Sequence, residues 1–308
     1  MVSEDLIEEL GTMAEVRRDE PLARHTTFGI GGPADVYTAA STADELRQMT
    51  TICHRHETPF FILGAGSNIL VGDGGIRGVV IENRARSVEG PQERKNGSAL
   101  FRAESGASLS SLARDLARRG LAGLEWAGGI PGTVGGAVVY NAGAYDGCLA
   151  DVLTRVGMAD KEGHEYVLDV KELGLGYRES GFTRRLFTDQ VILWAELRLL
   201  PASTDELRKR IEELDRLRQE TQPRGRSAGS IFKNVREYPA WWLIDQVGLR
   251  GHHVGDAEFS AKHPNFILNV GRARAADVKA LMELAQERVW AEFSLRLVPE
   301  VAFVGEGF

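Results

Sequence analysis

The segment Leu63-Gly-Ala-Gly-Ser-Asn-Ile-Leu70 contains residue types that proteins use to bind phosphate. Its glycines and its Ser-Asn pair come directly after an apolar run, and Asp73-Gly-Gly75 follows. Such a turn exposes backbone N–H groups, and its small side chains allow an anion to approach them closely. The segment therefore predicts a phosphate-binding turn after a strand.

This turn differs from the fingerprint of the Rossmann dinucleotide-binding fold. Glu82 lies at the distance, about 20 residues, where that fold places a ribose-binding acid. However, Ile69 stands where the fingerprint requires its third glycine, and Asp73-Gly-Gly75 continues as a turn rather than as an amphipathic helix. Because the βαβ context is missing, the sequence disfavours a Rossmann domain.

A second glycine-rich region extends from Trp126 to Gly136 and is followed by Asn141-Ala-Gly-Ala-Tyr145. Glycine costs about 0.5–1 kcal/mol relative to alanine inside a regular element, so a concentration of glycines marks tight turns or close backbone approach. Tight turns alone would explain either glycine-rich motif. Two such motifs in one chain are not easily explained by packing alone, and they favour a ligand-binding surface.

Three further residues are ambiguous when each is taken alone. Arg178 fits a surface ion pair, Ser230 fits a turn, and Glu300 fits the cap of a strand. No Gly-x-Ser-x-Gly elbow surrounds Ser230, which leaves an acyl-transfer nucleophile unsupported. We predict no metal site, because His54 and His56 are typical of surface residues on a helix.

The elements that must position these residues are of mixed α and β type. Short β-branched or aromatic runs predict strands at residues 60–63, 78–81, 191–197 and 300–304. Capping residues predict helices that begin after Ser41, Ser108 and Ser203, and an apolar periodicity predicts a fourth over residues 278–289. Asn96-Gly97 predicts an exposed hairpin turn. A boundary near Pro201 separates a glycine-rich part from a C-terminal part.

Composition and charge argue against several classes of function. The net charge of −7 disfavours a general nucleic-acid binder, since affinity for phosphate backbones comes from clustered Lys and Arg. The chain starts with acidic residues where a secretory signal is basic, and its most apolar stretch, residues 60–71, is too short and glycine-rich to span a bilayer. Two cysteines, Cys53 and Cys148, fit a reducing compartment. We therefore expect a cytoplasmic protein with no nucleic-acid or membrane partner.

Taken in order, these motifs resemble the UDP-N-acetylenolpyruvoylglucosamine reductase family. The resemblance includes His25-Thr-Thr-Phe-Gly-Ile-Gly-Gly-Pro-Ala-Asp35 and Lys262-His-Pro-Asn265-Phe-Ile-Leu-Asn269, and it extends over about residues 20–306. It implies an α+β fold in which an FAD-binding unit of the vanillyl-alcohol-oxidase (PCMH) type precedes a smaller C-terminal α+β substrate domain. The expected units are an FAD-binding region over residues 15–200, with two subdomains split near residue 85, and a substrate-binding domain over residues 201–308.

The resemblance also implies roles for particular residues. Arg178 matches the family's active-site arginine, Ser230 its proton donor and Glu300 its active-site glutamate. The residues that match substrate-binding positions are Tyr177, Lys233 and Asn234. The residues that match cofactor-binding positions are Gly64, Ala65, Gly66, Ser67, Asn68, Gly128, Gly129, Pro131, Gly132, Gly135, Gly136, Asn141 and Gly143.

The implied chemistry consists of two half-reactions on a nucleotide-sugar substrate. NADPH reduces the FAD, and hydride then passes to the terminal carbon of the enolpyruvyl ether of UDP-N-acetylglucosamine, which gives UDP-N-acetylmuramate for peptidoglycan. Arg178 would stabilise the negative charge that builds beside the substrate carboxylate. Ser230 would protonate the neighbouring carbon if a cation such as Lys233 stabilises its alkoxide. Glu300 would support either the proton relay or the enol, and the sequence leaves that choice open.

One position departs from the family pattern. Val235 follows Phe-Lys-Asn where the family usually has proline, so we expect a less rigid loop at Ser230.

Two other classes of function remain as alternatives. A related flavin oxidase would need only the glycine-rich motifs, and a nucleotide-binding protein without catalysis would lack Arg178, Ser230 or Glu300. The presence of all three favours the reductase, which we expect to be a monomer of the family's compact second type.

Overall fold

The computed structural model describes residues 2–94, 97–235 and 238–308. In that part of the chain the helices are α1 (Glu4–Gly11), α2 (Ala43–Arg55), α3 (Leu109–Arg118), α4 (Val134–Tyr140), α5 (Thr204–Thr221), α6 (Ala240–Gln246) and α7 (Ala275–Phe293). The strands are β1 (Arg17–Pro21), β2 (Pro33–Ala40), β3 (Phe60–Leu63), β4 (Ile69–Val71), β5 (Ile76–Asn83), β6 (Val88–Glu93), β7 (Ala99–Glu104), β8 (Leu121–Ala122), β9 (Gly143–Ala144), β10 (Gly147–Cys148), β11 (Leu153–Ala159), β12 (Glu165–Asp169), β13 (Val191–Pro201), β14 (His253–Val254), β15 (Ala257–Phe259), β16 (Ile267–Asn269) and β17 (Ala302–Val304). These elements confirm the predicted mixed class. Asn96 of the predicted hairpin turn lies outside the described residues.

The first sheet has the strand order β1-β2-β5-β3. β1 is antiparallel to β2, whereas β2, β5 and β3 pair in parallel. Helix α2 covers this sheet, and Leu46, Met49 and Cys53 on its apolar face are buried. The side chain of Thr42, rather than that of Ser41, caps the helix by accepting from the Glu45 N–H, so the predicted start is one residue early. β3 and β5 contain the strands predicted at residues 60–63 and 78–81.

The second sheet is antiparallel, with the order β12-β11-β13-β7-β6, and β8 also pairs with β13. Helix α3 packs on it because Leu109, Leu112 and Leu116 form one apolar face. The predicted cap is correct, since Ser108 Oγ accepts from the Ser111 N–H at 3.3 Å. Gly120, with φ of +73°, ends the helix as expected.

The C-terminal unit consists of the antiparallel sheet β14-β15-β16 together with α6 and α7. Helix α5 precedes this unit and packs on α3 through Leu207 and Ile211. The periodicity predicted for α7 is present, because Val278, Leu281, Met282, Ala285 and Val289 are all buried. These side chains form one core with α6 and with the segment around Ile231. This core positions the segment that carries Ser230.

The C-terminal unit is interlocked with the N-terminal part of the chain. Phe28 and Ile30 are buried in the C-terminal core. In the other direction, β17 pairs in parallel with β4. The Asp73 carboxylate accepts from the N–H groups of Ala275 and Ala276 at 2.9 and 3.2 Å, at the first turn of α7. The two parts therefore share a core, a strand pair and a helix cap.

The histidines near the end of α2 have structural contacts. His56 Nε2 lies 3.1 Å from Glu9 Oε2, so His56 joins α2 to α1. The His54 ring packs edge-on against Phe60, with 5.0 Å between the ring centroids. Both side chains are partly exposed and have these contacts as well. No helix within the described ranges is long and apolar enough to cross a membrane.

Candidate active site

A cavity of about 530 Å³ lies where the two N-terminal sheets meet the C-terminal unit. Its walls come from the ends of β3 and β5, from α4, from the last turn of α5, and from the segments that carry Ser230 and Glu300. The volume falls in the range of about 300–1,000 Å³ that is usual for small-molecule and cofactor sites. The cavity brings together segments that are far apart in the sequence.

The predicted phosphate-binding turn forms one wall of this cavity. β3 leads through residues 64–68 directly into β4, so the strand-turn-helix geometry of a Rossmann domain is absent from this segment. The N–H groups of Ala65, Gly66 and Ser67 donate to no protein acceptor among the described residues. Gly66 has φ of +59°, and a Cβ on it would collide with the carbonyl oxygen of His25. The turn thus combines free backbone donors with a position that only glycine fits.

The glycines of the second motif divide into two groups. A Cβ on Gly132 or Gly136 would approach no atom closer than Ser67 Oγ at 3.6 Å and Thr133 Oγ1 at 3.4 Å, so both positions face the open cavity. Gly135 is different, because it packs on Ser105 and donates its N–H to the Ser105 carbonyl at 2.7 Å. Pro131 and Gly143 also line the cavity.

Gly128, Gly129 and Asn141 lie outside the cavity lining. Gly128 and Gly129 pack against side chains of α5, including Ile211. The Asn141 side chain donates to the Gly176 carbonyl at 2.9 Å and accepts from the Ala150 N–H at 3.0 Å. Close packing on α5 therefore explains two glycines that the resemblance assigned to the cofactor. Cofactor contact at these three positions stays a prediction.

Arg178, Glu300 and Ser230 all line the cavity, as the resemblance predicted. Arg178 has φ of +54°, an uncommon conformation for a non-glycine residue that is frequent at functional sites. Its Nε donates to Glu300 Oε1 at 2.8 Å, and its Nη2 donates to the carbonyl oxygen of Gly143. These two hydrogen bonds hold the guanidinium in a fixed orientation at the cavity wall.

Glu300 is mostly buried, and burial raises its pKa above the ordinary value, although Arg178 and Lys233 oppose the shift. Desolvation disfavours the charged carboxylate, whereas the two cations favour it. A carboxyl group with a raised pKa binds its proton more tightly in the folded protein. Glu300 is therefore better suited to hold and pass a proton than an exposed glutamate would be.

Ser230 and Glu300 are held on neighbouring extended segments. Ser230 pairs with Phe266 in an isolated antiparallel bridge. The Ile231 carbonyl accepts from the Glu300 N–H at 2.8 Å, and the Asn68 side chain donates to the Glu300 carbonyl at 3.2 Å. The phosphate-binding turn, the glutamate and the serine therefore belong to one hydrogen-bonded arrangement.

The predicted substrate-binding residues lie beside the cavity rather than in its lining. Tyr177 is 56% exposed, and its ring centroid is 5.2 Å from the Arg178 guanidinium carbon. Asn234 Oδ1 accepts from the Ala240 N–H at 3.0 Å, at the start of α6. The Lys233 N–H donates to the Val298 carbonyl at 2.9 Å. Substrate contact by these side chains stays a prediction.

Val235 occupies the position where the family usually has proline. Its N–H donates to the Tyr238 carbonyl at 3.0 Å, and its carbonyl accepts from the Tyr238 N–H at 2.9 Å. Proline lacks the N–H that the first bond requires. A reciprocal backbone pair thus holds this loop in place of a proline ring.

Sequence reasoning missed Arg218 and Gln222, which line the cavity at the end of α5. The Arg218 side chain makes no hydrogen bond or ion pair with any described residue, and burial lowers its pKa. Nearby Asp215 is occupied by Arg114, at 2.9 and 2.8 Å. Asp215 acts on Arg218 electrostatically but is hydrogen-bonded to another arginine, so the Arg218 guanidinium is available to an anionic ligand. In the sequence Arg218 looks like any other charge on a solvated helix.

The FAD binding domain family matches residues 34–169, which include both glycine-rich walls of the cavity. The chain is a flavoprotein whose α+β fold has an FAD-binding unit of the vanillyl-alcohol-oxidase type, as predicted. The family described as UDP-N-acetylenolpyruvoylglucosamine reductase, C-terminal domain, matches residues 220–304, which contain Ser230 and Glu300. The chain belongs to the UDP-N-acetylenolpyruvoylglucosamine reductase family.

Relatives that carry this name match nearly the whole chain. The protein from Caldanaerobacter subterraneus subsp. tengcongensis is 40% identical over 306 residues, or 98% of each chain. A Clostridium botulinum protein is 39% identical over 289 residues, covering 94% of this chain and 92% of its own. The crystal structure of UDP-N-acetylenolpyruvylglucosamine reductase from Thermus caldophilus has a TM-score of 0.76 and 36% identity, covering 94% of this chain and 98% of that one.

Proposed function

We propose that this protein is the FAD-dependent reductase that uses NADPH to convert UDP-N-acetylglucosamine enolpyruvate into UDP-N-acetylmuramate for peptidoglycan synthesis. Its family and its near full-length relatives support this reaction. The observation that carries the proposal is the Arg178–Glu300 pair, which faces the same cavity as Ser230 and the phosphate-binding turn. A flavin oxidase would need the turn but not these three side chains.

The residues around the cavity fit FAD. The unpaired N–H groups of residues 65–67 suit its pyrophosphate, and the open faces of Gly132 and Gly136 leave room for a bulky ring system. When bound, FAD takes up hydride from NADPH and supplies it to the enolpyruvyl double bond. We propose that residues 64–68, Pro131, Gly132, Gly135, Gly136 and Gly143 hold it.

Arg178 is proposed to bind the carboxylate of the enolpyruvyl group. Hydride addition at the terminal carbon moves negative charge onto the carboxylate side of the substrate. A guanidinium that Glu300 and Gly143 hold in place can stabilise this charge without having to reorient during the reaction. The lowered cost of reorganisation favours the transition state over the bound substrate.

Ser230 is proposed to protonate the carbon next to the one that receives hydride. Ser230 lines the cavity, and the strand pairings on both sides fix the backbone that carries it. Lys233 acts on Glu300 electrostatically, so a positive charge is present near the carboxyl group. The raised pKa of Glu300 supports a role in the proton relay to Ser230.

The predicted domain division, location and oligomeric state are also proposals. Three hydrophobic cores support a split near residue 85 and a boundary near residue 201: one on the first sheet, one within residues 99–199 and one formed mainly by residues 228–301. Leu207 and Ile211 of α5, which follow the proposed boundary, pack on Ala117 of the preceding part. Between Arg178 and Ser230 the main elements are β13 and α5, which supports the compact second type. Cys53 and Cys148 are unpaired, which supports a cytoplasmic location. We propose a monomer.

An anaerobic absorption experiment tests the function. The purified protein should show the spectrum of bound oxidised flavin, and NADPH should bleach it. Addition of UDP-N-acetylglucosamine enolpyruvate without oxygen should then restore the colour. A flavin that NADPH reduces but that recovers only in air would identify an oxidase instead, and a folded protein unable to bind FAD would contradict the proposal altogether.

A further inference from the structure

Asn265 makes three hydrogen bonds to the two residues that follow Ser230. Its side chain is buried, with the residue only 4% exposed. Asn265 Oδ1 accepts from the Phe232 N–H at 3.0 Å, and its Nδ2 donates to the Phe232 carbonyl at 2.8 Å. Its own carbonyl accepts from the Ile231 N–H at 2.9 Å. One residue thus engages three backbone groups of a two-residue stretch.

This contact fixes the place of Ser230 in the cavity wall. The segment 230–232 lies between two others, because Ser230 bridges to Phe266 and Phe232 bridges to Pro299. The Asn265 side chain binds both the donor and the acceptor of Phe232, so the segment cannot slide along its neighbour without breaking both bonds. The same segment holds Glu300 through the Ile231 carbonyl at 2.8 Å. The position of Glu300 therefore depends on the same clamp.

Only an amide of this length can make both bonds. Aspartate offers acceptors but no donor, and alanine offers neither. A buried carbonyl left without a donor is costly, so the segment would shift to find another partner. A displacement of about 1 Å in a reacting group can reduce a rate by about 10²-fold.

A second buried asparagine on the same stretch provides a matched comparison. Asn269 is 7% exposed, and its Nδ2 donates to the carbonyl of Phe28 at 3.1 Å. Its Oδ1 accepts from the N–H groups of Gly271 and Ala273 at 3.2 and 3.1 Å. Asn269 is as buried and as fully bonded as Asn265, but its side chain bonds to none of residues 230–232.

We propose that Asn265 is a positioning residue for proton delivery, which acts by fixing Ser230 and Glu300 relative to each other. The proposal rests on the proposed reductase function, because it concerns the second half-reaction. It assigns a role in the reaction to a residue that touches neither the cavity nor a reacting atom. Asn269 is also buried and hydrogen-bonded, but the proposal gives it no such role.

The test compares Asn265→Ala with Asn269→Ala in the full-length protein loaded with FAD. Stopped-flow absorption measures flavin reduction by NADPH and anaerobic reoxidation by UDP-N-acetylglucosamine enolpyruvate, in H₂O and in D₂O. Thermal unfolding of both variants measures the loss of stability. We expect similar losses of stability and near wild-type flavin reduction. Reoxidation should slow by about 10–10²-fold in Asn265→Ala alone, with a larger solvent isotope effect because proton transfer limits the rate.

Equal reoxidation rates in the two variants, or an unchanged isotope effect in Asn265→Ala, would overturn the proposal. If wild-type protein is not reoxidised by the substrate at all, the proposed function fails first, so the two failures are distinguishable. Should Asn265→Ala not fold, Asn265→Asp keeps the acceptor for the Phe232 N–H, and Asn269→Asp is its control. The same difference in reoxidation is expected between that pair.

Discussion

The two walls of the cavity are built on different principles. The wall formed by residues 64–68 and by α4 offers backbone groups and empty space, and its glycines either allow close approach of loops or leave room for a ligand. The adjoining wall offers side chains, with Arg178, Glu300 and Ser230 held on short paired segments. The glycines of the backbone wall have no side chain to lose, so these positions are sensitive to added atoms. The side-chain wall is sensitive to removed ones.

Ser230→Ala should give the largest effect on the side-chain wall. It removes the proposed proton donor and leaves the backbone bonds of Ser230 intact, so reoxidation of reduced flavin by the enolpyruvyl substrate should slow by at least about 10²-fold. Flavin reduction by NADPH should stay near the wild-type rate. Stopped-flow measurement of each half-reaction checks this, and near-normal reoxidation would remove Ser230 from the role.

Gly66→Ala and Gly136→Ala test the backbone wall. At Gly66 the added methyl meets the His25 carbonyl and an unfavourable φ, so we expect a loss of about 2 kcal/mol or more in unfolding free energy. At Gly136, inside α4, alanine should stabilise the FAD-free protein by up to about 1 kcal/mol, yet its methyl enters the cavity and should weaken FAD binding. Chemical denaturation and flavin titration measure both. Destabilised FAD-free Gly136→Ala would contradict this division of the glycines.

Arg218→Met tests whether a side chain from α5 also contributes to ligand binding in the cavity. Methionine keeps an apolar stem and removes a guanidinium that makes no hydrogen bond or ion pair within the described part of the chain, so stability should change little while the affinity for an anionic ligand falls by about 10-fold. Arg216→Met, at an exposed position of the same helix, is the control. Titrations with FAD and with UDP identify the ligand, and unchanged affinity for both would exclude Arg218 from binding.

The smallest effect concerns stability, and it is the change that Glu300→Gln should make in its pH dependence. Because burial raises the pKa of Glu300, the folded protein binds this proton more tightly than the unfolded chain does. The stability that wild type gains from it is fully present at low pH and is lost as pH rises through the raised pKa. The melting temperature of wild type relative to Glu300→Gln should therefore fall as the pH rises above the ordinary pKa of a glutamate and through the raised pKa. A rising difference would contradict the raised pKa.

The two walls also differ in how far the sequence predicts them. The phosphate-binding turn is local, so residues 63–70 contain nearly all the information that specifies it. Arg178 and Glu300 are 122 residues apart, and only the family resemblance pointed to their meeting. The resemblance could not separate Gly132, which faces the cavity, from Gly129, which packs on α5, because that difference depends on tertiary contacts. Arg218 was missed for the same reason.

The pairing of β17 with β4 has a consequence for how the protein matures during synthesis. β4 ends at Val71, and its partner ends at Val304, four residues from the end of the chain. The phosphate-binding turn directly precedes β4, so a nascent chain contains the turn long before the partner strand that stabilises it is synthesised. Until then Phe28 also lacks the core that buries it. Completion of this wall of the FAD site is thereby tied to the synthesis of β17, and a nascent chain that stalls before residue 302 would lack the strand pair beside the turn.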